Sequence, residues 1–190
     1  MKISLSYPSS KELAKWLSQR KPEAYSYPFV GATKDEAWPS GYNHDRNKAE
    51  IGSGSADFDK AKQALMHWTM FPRPWTRVFP SPMVFEEGKE VAVMFRLFGL
   101  WWWNSCRIVY VIDEPGKYGF AYGTLWNHVE RGEEIFYVEQ EADGRVWYKI
   151  EAFSQPRFVW ARLFKFVARA FQRRFVRGSK AGMKAELVAR

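Results

Sequence analysis

A chain of 190 residues with 46% hydrophobic content is long enough for one domain with a sizeable core. Its 18% aromatic content, with ten Trp, supplies rings enough for a thick core or an apolar cavity, and its single cysteine, Cys106, excludes an internal disulfide and a cysteine zinc cluster. The net charge of +8 is local: Arg157 to Arg190 carries ten Lys/Arg against one Glu, a net +9 that leaves the preceding residues at −1.

Ser9-Ser10-Lys11-Glu12 reads as a capping box ahead of Leu13, Trp16 and Leu17. It predicts a helix from about Ser10 to Gln19, stopped by Pro22. The N-terminal MKISLSYPSSKELAKW has no apolar run long enough for a signal peptide. Together with the lone cysteine this fits a reducing, cytoplasmic setting. Tyr25 to Val30 reads as a short extended run. Gly31 to Gly54 is polar and Gly-rich, without a periodic pattern, and segments of that kind are often functional or mobile.

A second helix is expected from Ser55, with Asp57 and Asp59 in its first turn. Phe58, Ala61, Leu65 and Trp68 recur at helical spacing toward the core, and Pro72 and Pro74 end it. Strands follow at Trp75–Phe79, Met83–Glu86, Glu90–Phe98, Ser105–Ile112, Gly119–Leu125, Glu134–Glu139 and Arg145–Phe153. With short links they imply an antiparallel meander. The longest uncharged apolar run, Leu97 to Trp103, is far short of the roughly 20 residues that span a bilayer. Trp101-Trp102-Trp103 cannot all enter one core, because neighbouring strand residues face opposite ways. At least one ring is expected to be exposed or covered by a partner, a ligand or a membrane surface.

A long amphipathic helix is predicted from Arg157. Trp160, Leu163, Phe164, Val167, Phe171 and Phe175 form its apolar stripe, and Arg162, Lys165, Arg169 and Arg173 lie opposite. After Gly178 the tail is expected to fray. The expected organisation is one α+β domain over 1–190: a helical extension over 1–24, a core over 25–177, and the tail over 178–190. A curved antiparallel β-sheet is the only large apolar surface available to the last helix. A long C-terminal helix gripping such a sheet resembles the helix-grip pattern of Bet v 1 and START domains.

The chain also resembles uncharacterised protein family 0548. The pieces that carry the resemblance include Tyr42-Asn43, Gly52-Ser53-Gly54, Phe58 with Ala61 and Leu65, and Trp68 with Phe71. Further along are Cys106-Arg107-Ile108-Val109-Tyr110, Gly119-Phe120-Ala121-Tyr122-Gly123-Thr124-Leu125, His128, Gly132-Glu133-Glu134, Ser154 with Pro156, and Gln172-Arg173-Arg174-Phe175. The chain departs from the pattern at Trp126-Asn127, where a Pro-Gly-like turn is expected, and at Gln155, where Arg is expected. The resemblance implies no assigned activity; it marks positions to watch.

The stretch from Lys117 to Gln140 concentrates titratable and aromatic groups in one hairpin. Its polar connection holds Asn127, His128, Glu130, Arg131, Gly132, Glu133 and Glu134. His128 and Glu130 share a face of an extended chain, the arrangement of a base oriented by a carboxylate, with Glu133 and Glu134 as candidates for a second acid. The bland alternative is a solvated turn. A metal set of His128, Glu130 and His44 matches no established spacing, so no metal and no cofactor is expected.

Arg107, Arg96 and Arg174 sit in apolar surroundings and need a carboxylate or a bound anion. The leading functional expectation is a cavity between sheet and helix holding a small apolar or amphipathic ligand. Tyr42, Asn43, Arg107, Tyr122, Thr124 and Arg174 are its polar binding residues, with His128 beside them. The second is an enzyme using that pocket, with His128 as base and Glu130 or Glu133 as partner. The third is an anionic membrane surface or a nucleic acid as partner, bound by the basic face of the last helix. Oligomeric state is open.

Overall fold

The computed structural model describes residues 2–35, 37–157 and 165–188, without the side chains of 165–168. Antiparallel strands dominate: β1 (Lys2–Ser4), β2 (Asn43–Ser53), β3 (Thr76–Phe79), β4 (Glu90–Leu97), β5 (Leu100–Glu114), β6 (Lys117–Thr124), β7 (Glu130–Gln140) and β8 (Arg145–Pro156). Three helices accompany them: α1 (Ser10–Ser18), α2 (Gly54–Met66) and α3 (Lys165–Val188). The sheet order is β2-β8-β7-β6-β5-β4-β3, and β1 pairs with β5 off that path. The sheet curls around α2 and α3, which makes this an α+β helix-grip fold of the Bet v 1 type.

The concave face carries the main core. Leu65, Trp68 and Phe71 from α2 and its exit meet Ile108, Phe120, Phe136 and Tyr148 from the sheet. Trp68 stands edge-on to Phe71, Phe85 and Phe120 with centroids 5.2–5.6 Å apart. Buried rings of this size each remove a large apolar area from water, at roughly 25 cal/mol per Å2.

The convex face is also covered, which a bare helix-grip pattern does not predict. The capping box forms as expected, with Glu12 and Ser9 bonded reciprocally. It starts α1, whose Leu13, Trp16 and Leu17 pack on Ala92, Met94, Trp101 and Trp103. Residues 25–34 lie over the next strands and bury Tyr27 and Thr33.

Several expectations change. The patternless segment before Gly54 holds an 11-residue strand, β2. It is an edge strand bonded only to β8, so polar residues on both faces cost little and blunt the edge. Residues 83–86 form no strand, although Met83 and Phe85 are buried in the core. The three tryptophans lie inside β5: Trp101 and Trp103 turn to α1, while Trp102 turns to the concave side and stacks on Phe95 at 5.9 Å.

The last turns of α3 pack on the core. Met183 and Leu187 belong to the core, and the Ser179 hydroxyl lies 2.7 Å from that of Tyr148. Gly182 lets this turn approach closely, since a Cβ there would stand 2.8 Å from the carbonyl oxygen of Thr69. The apolar stripe expected at Trp160, Leu163, Phe164 and Val167, like Arg162 and Lys165 of the basic face, lies outside the described residues and side chains. No helix among the described residues is long and apolar enough to cross a membrane.

Candidate functional site

A cavity of about 830 Å3 lies between the concave face and α3. One side is apolar, built by Val93, Phe95, Leu97 and Trp102 on β4 and β5, with Trp75 just before β3. Phe171 and Phe175 of α3 meet Trp75 at 6.0 and 6.4 Å. The other side is polar, built by Asp45 and Asn47 of β2, Glu130 and Glu134 of β7 and Ser154 of β8.

Strand alternation explains how the hairpin's charges are distributed. β7 begins at Glu130, four residues earlier than the sequence suggests, so Glu130 to Glu134 are ladder residues rather than a polar link. Side chains two apart then share a face. Glu130 and Glu134 border the cavity, while the Glu133 carboxylate goes to the convex side. There it accepts from the Tyr27 hydroxyl at 2.6 Å, from the Gly31 and Thr33 amides at 2.7 and 3.0 Å, and from the Thr33 hydroxyl. Glu133 is 2% exposed. Its residue borders the cavity, but its acid group ties down the N-terminal segment.

Within the cavity Tyr122 donates to Glu134 at 2.6 Å, as the β6–β7 register places the two residues directly opposite. Burial pushes the Glu134 carboxyl up to about 8, against the lowering effect of that hydrogen bond. Burial also raises Glu130, although Ser154, Arg169 and Gln172 work in the other direction. Gln172 donates to Glu130 at 3.2 Å and accepts from Arg169 at 3.1 Å. Arg169 in turn clamps Asp45 through Nη1 at 2.9 and 2.7 Å. Residue 169, read as part of a free basic face, is thus bound to the sheet.

His128 also borders the cavity. Its Nδ1 lies 3.0 Å from both the backbone amide and the backbone carbonyl of Glu130. Burial lowers the imidazole to about 4, against the raising effect of that backbone contact, and leaves the ring neutral. The partner that holds His128 is therefore the Glu130 backbone rather than its carboxylate.

The other expected site residues divide. Tyr122 and Thr124 border the cavity with His128 and Glu130. The Thr124 hydroxyl is already shared among the Gly132 amide at 3.0 Å, the Gly132 carbonyl at 3.2 Å and the Ser26 hydroxyl at 2.7 Å. Arg107 is on the convex side, where it donates to the carbonyls of Arg20, Lys21 and Glu23 and pairs with Glu90 at 3.2 Å. Tyr42 packs edge-on against Phe153 and Phe29, and Asn43 is exposed at the start of β2. Arg174 is exposed and lies over the Trp75 ring at 4.8 Å. These four stand apart from the cavity lining.

His44 bonds the Pro39 carbonyl at 2.9 Å and meets the Trp38 ring. Among the described residues no three His, Cys, Asp or Glu side chains gather as a metal set. Asp45 was missed by sequence reasoning, because an edge strand carries no alternation to reveal it. Gln172 was marked only as a piece of the family resemblance, without a role.

The comparisons with known proteins agree with this architecture. The model of a domain of unknown function, DUF1990, matches residues 26–181. A UPF0548 protein of Deinococcus radiodurans is 32% identical over 90% of this chain and 91% of its own length. One of Dictyostelium discoideum is 31% identical over 89% of this chain and 88% of its own. Among solved structures, a hypothetical protein of Helicobacter pylori superposes with a TM-score of 0.55 at 13% identity, covering 85% of this chain and 95% of that one, a likeness of fold alone.

The motif run Gly119 to Leu125 has a structural reason at Gly123, where a Cβ would stand 2.2 Å from the Tyr27 hydroxyl that reaches Glu133. By the domain that matches and by its curated relatives, the chain belongs to the UPF0548 family.

Proposed function

We propose that the protein binds a small apolar or amphipathic molecule in the cavity between the sheet and α3. The observation that carries this reading is the cavity itself. Its volume of about 830 Å3 falls within the range of roughly 300–1,000 Å3 common for ligand sites. Its aromatic side supplies area to bury, and its polar side supplies a few fixed groups for orientation. Tyr122 and Glu134 are the inner anchors of this reading, with Glu130, Gln172 and His128 beside them. Cys106, fully buried with its thiol pushed up by desolvation, is kept out of reactive chemistry.

The test is native mass spectrometry of protein purified from its own cells, set beside the denatured mass. An added mass that leaves on denaturation, and that is absent from an Ala152→Trp variant with the cavity filled, is the expected result. No added mass, and no uptake of an apolar dye by the wild type, would overturn the reading.

A second reading, acid–base catalysis in the same cavity, is favoured by one observation: the Glu134 carboxyl, pushed up to about 8 by burial, lies 2.6 Å from the Tyr122 hydroxyl. The acid group of that reading is Glu134 rather than Glu133, and His128 lowered to about 4 is a weak base. Tyr122→Phe would then abolish conversion of a bound ligand while leaving its affinity within a few fold.

A further inference from the structure

The two sides of the cavity come from opposite ends of the sheet. β4, β5 and Trp75 just before β3 bring aromatic and aliphatic groups, and β2 and β7 bring carboxylates with Ser154 of β8 between them, while Tyr122 on β6 stands in the middle of the sheet. The carboxylates are unequal. Asp45 has its own cation, Arg169. Glu130 and Glu134 form no ion pair among the described residues; their side-chain partners are Gln172, Ser154 and Tyr122. Glu134 is bonded through Oε2 alone, and its second oxygen has no protein partner among the described residues. Gly132, which stands between the two acids on β7, borders the cavity without a side chain to fill it.

Arg169 reaches Glu130 only through Gln172, and two half-buried carboxylates with no ion pair among the described residues favour either protonation or a cation from outside. The opposite side offers the faces of Trp75, Trp102 and Phe95, and aromatic faces attract organic cations. We infer that the cavity takes an amphipathic organic cation, an ammonium group on an apolar body, with its nitrogen against Glu134 and Glu130 and its body along Phe95 and Trp102. This rests on the reading of the cavity as a ligand site.

The competing chemistry is an amphipathic anion. Arg173, Arg177 and Lys180 of α3 also border the cavity, but Arg173 and Arg177 are exposed and remain hydrated in water. Glu130 and Glu134 are half-buried on the sheet wall and bonded there to neutral groups, so they are the charges that a ligand cation would meet inside the cavity.

Four probes with one tail decide the matter: dodecylammonium, dodecyltrimethylammonium, dodecanol and dodecanoate. Each is titrated below its micelle concentration into the full-length protein near neutral pH, by calorimetry and tryptophan fluorescence. The expected result is that either cation binds at least about tenfold tighter than dodecanol or dodecanoate. A Glu130→Gln/Glu134→Gln double variant should lose that preference while holding dodecanol within about twofold.

Dodecanoate binding tightest, dodecanol matching the cations, or an unchanged preference in the double variant would each overturn the inference and leave the cavity as a ligand site. Failure of all four probes to bind would remove both. The wild-type series decides the point even where the double variant does not fold.

Discussion

Tyr122 and Glu134 face one another across the β6–β7 ladder with their oxygens 2.6 Å apart. The register makes this contact unavoidable, since both residues project to the concave side of adjacent strands. The site is therefore built on strands rather than on loops. Its geometry is set by the same hydrogen bonds that hold the sheet, and the cavity around it keeps the carboxyl away from bulk water.

The Glu134 carboxyl is raised from the ordinary carboxylate range to about 8 in the folded protein. A raised folded value contributes stability that is complete below the unfolded value and is lost as pH rises through the folded one. Stability should fall as pH rises from about 6.5 to 8, with a slope of at most about 1.4 kcal/mol per pH unit from this one group. Urea denaturation across that window should show the slope in the wild type and a flatter profile in Glu134→Gln. Equal slopes would mean that the carboxyl ionises freely.

His128 works in the opposite direction at lower pH. Its folded value of about 4 lies below the ordinary value of 6.5, so its contribution is complete above 6.5 and is lost as pH falls toward 4. The imidazole C–H resonances of His128 should hold a neutral chemical shift down to about pH 5. A His128 midpoint above 6 would contradict the burial of the ring.

Much of the fold was legible because it is written in periodicity. The capping box at Ser9, the stripe of Phe58, Ala61 and Leu65, and the alternation of Val146, Tyr148 and Ile150 each mark a buried face. The edge strand β2 was hidden because one-sided pairing relaxes the need for an apolar face. The site was half legible. The hairpin was the right place, and Tyr122, Thr124, His128 and Glu130 do border the cavity.

Starting β7 four residues early inverts the assignment of individual acids. A strand sorts Glu133 from Glu134 by parity, whereas a loop leaves them equivalent. Arg107 was misplaced for a related reason: a guanidinium in an apolar strand needs acceptors, and nothing local indicated that carbonyls more than 80 residues away would supply them.

Glu133 gives the parity argument a thermodynamic test. Glu133→Ala removes the acceptor for the Tyr27 hydroxyl, two buried amides and the Thr33 hydroxyl. The donors left unsatisfied should cost about 3–5 kcal/mol in urea denaturation, and Glu133→Gln about half of that. Ligand uptake by folded Glu133→Gln should match the wild type. Reduced uptake at unchanged stability would return Glu133 to the cavity.

Arg107 is the corresponding tie for the end of the N-terminal helix. Its guanidinium spends four bonds on Glu90 and on the carbonyls of Arg20, Lys21 and Glu23, where the chain leaves α1. Arg107→Met keeps much of the apolar stem but leaves those carbonyls and Glu90 without their donor. The expected change is local, because α1 keeps its packing on Trp101 and Trp103 while residues 20–24 loosen. Limited trypsin digestion should cut the variant faster after Arg20, with global stability lower by about 1–3 kcal/mol. Amphiphile affinity should stay within about twofold, since the cavity lies on the other face of the sheet. A large loss of affinity with intact folding would instead show that the convex-side tie and the cavity are coupled through β5.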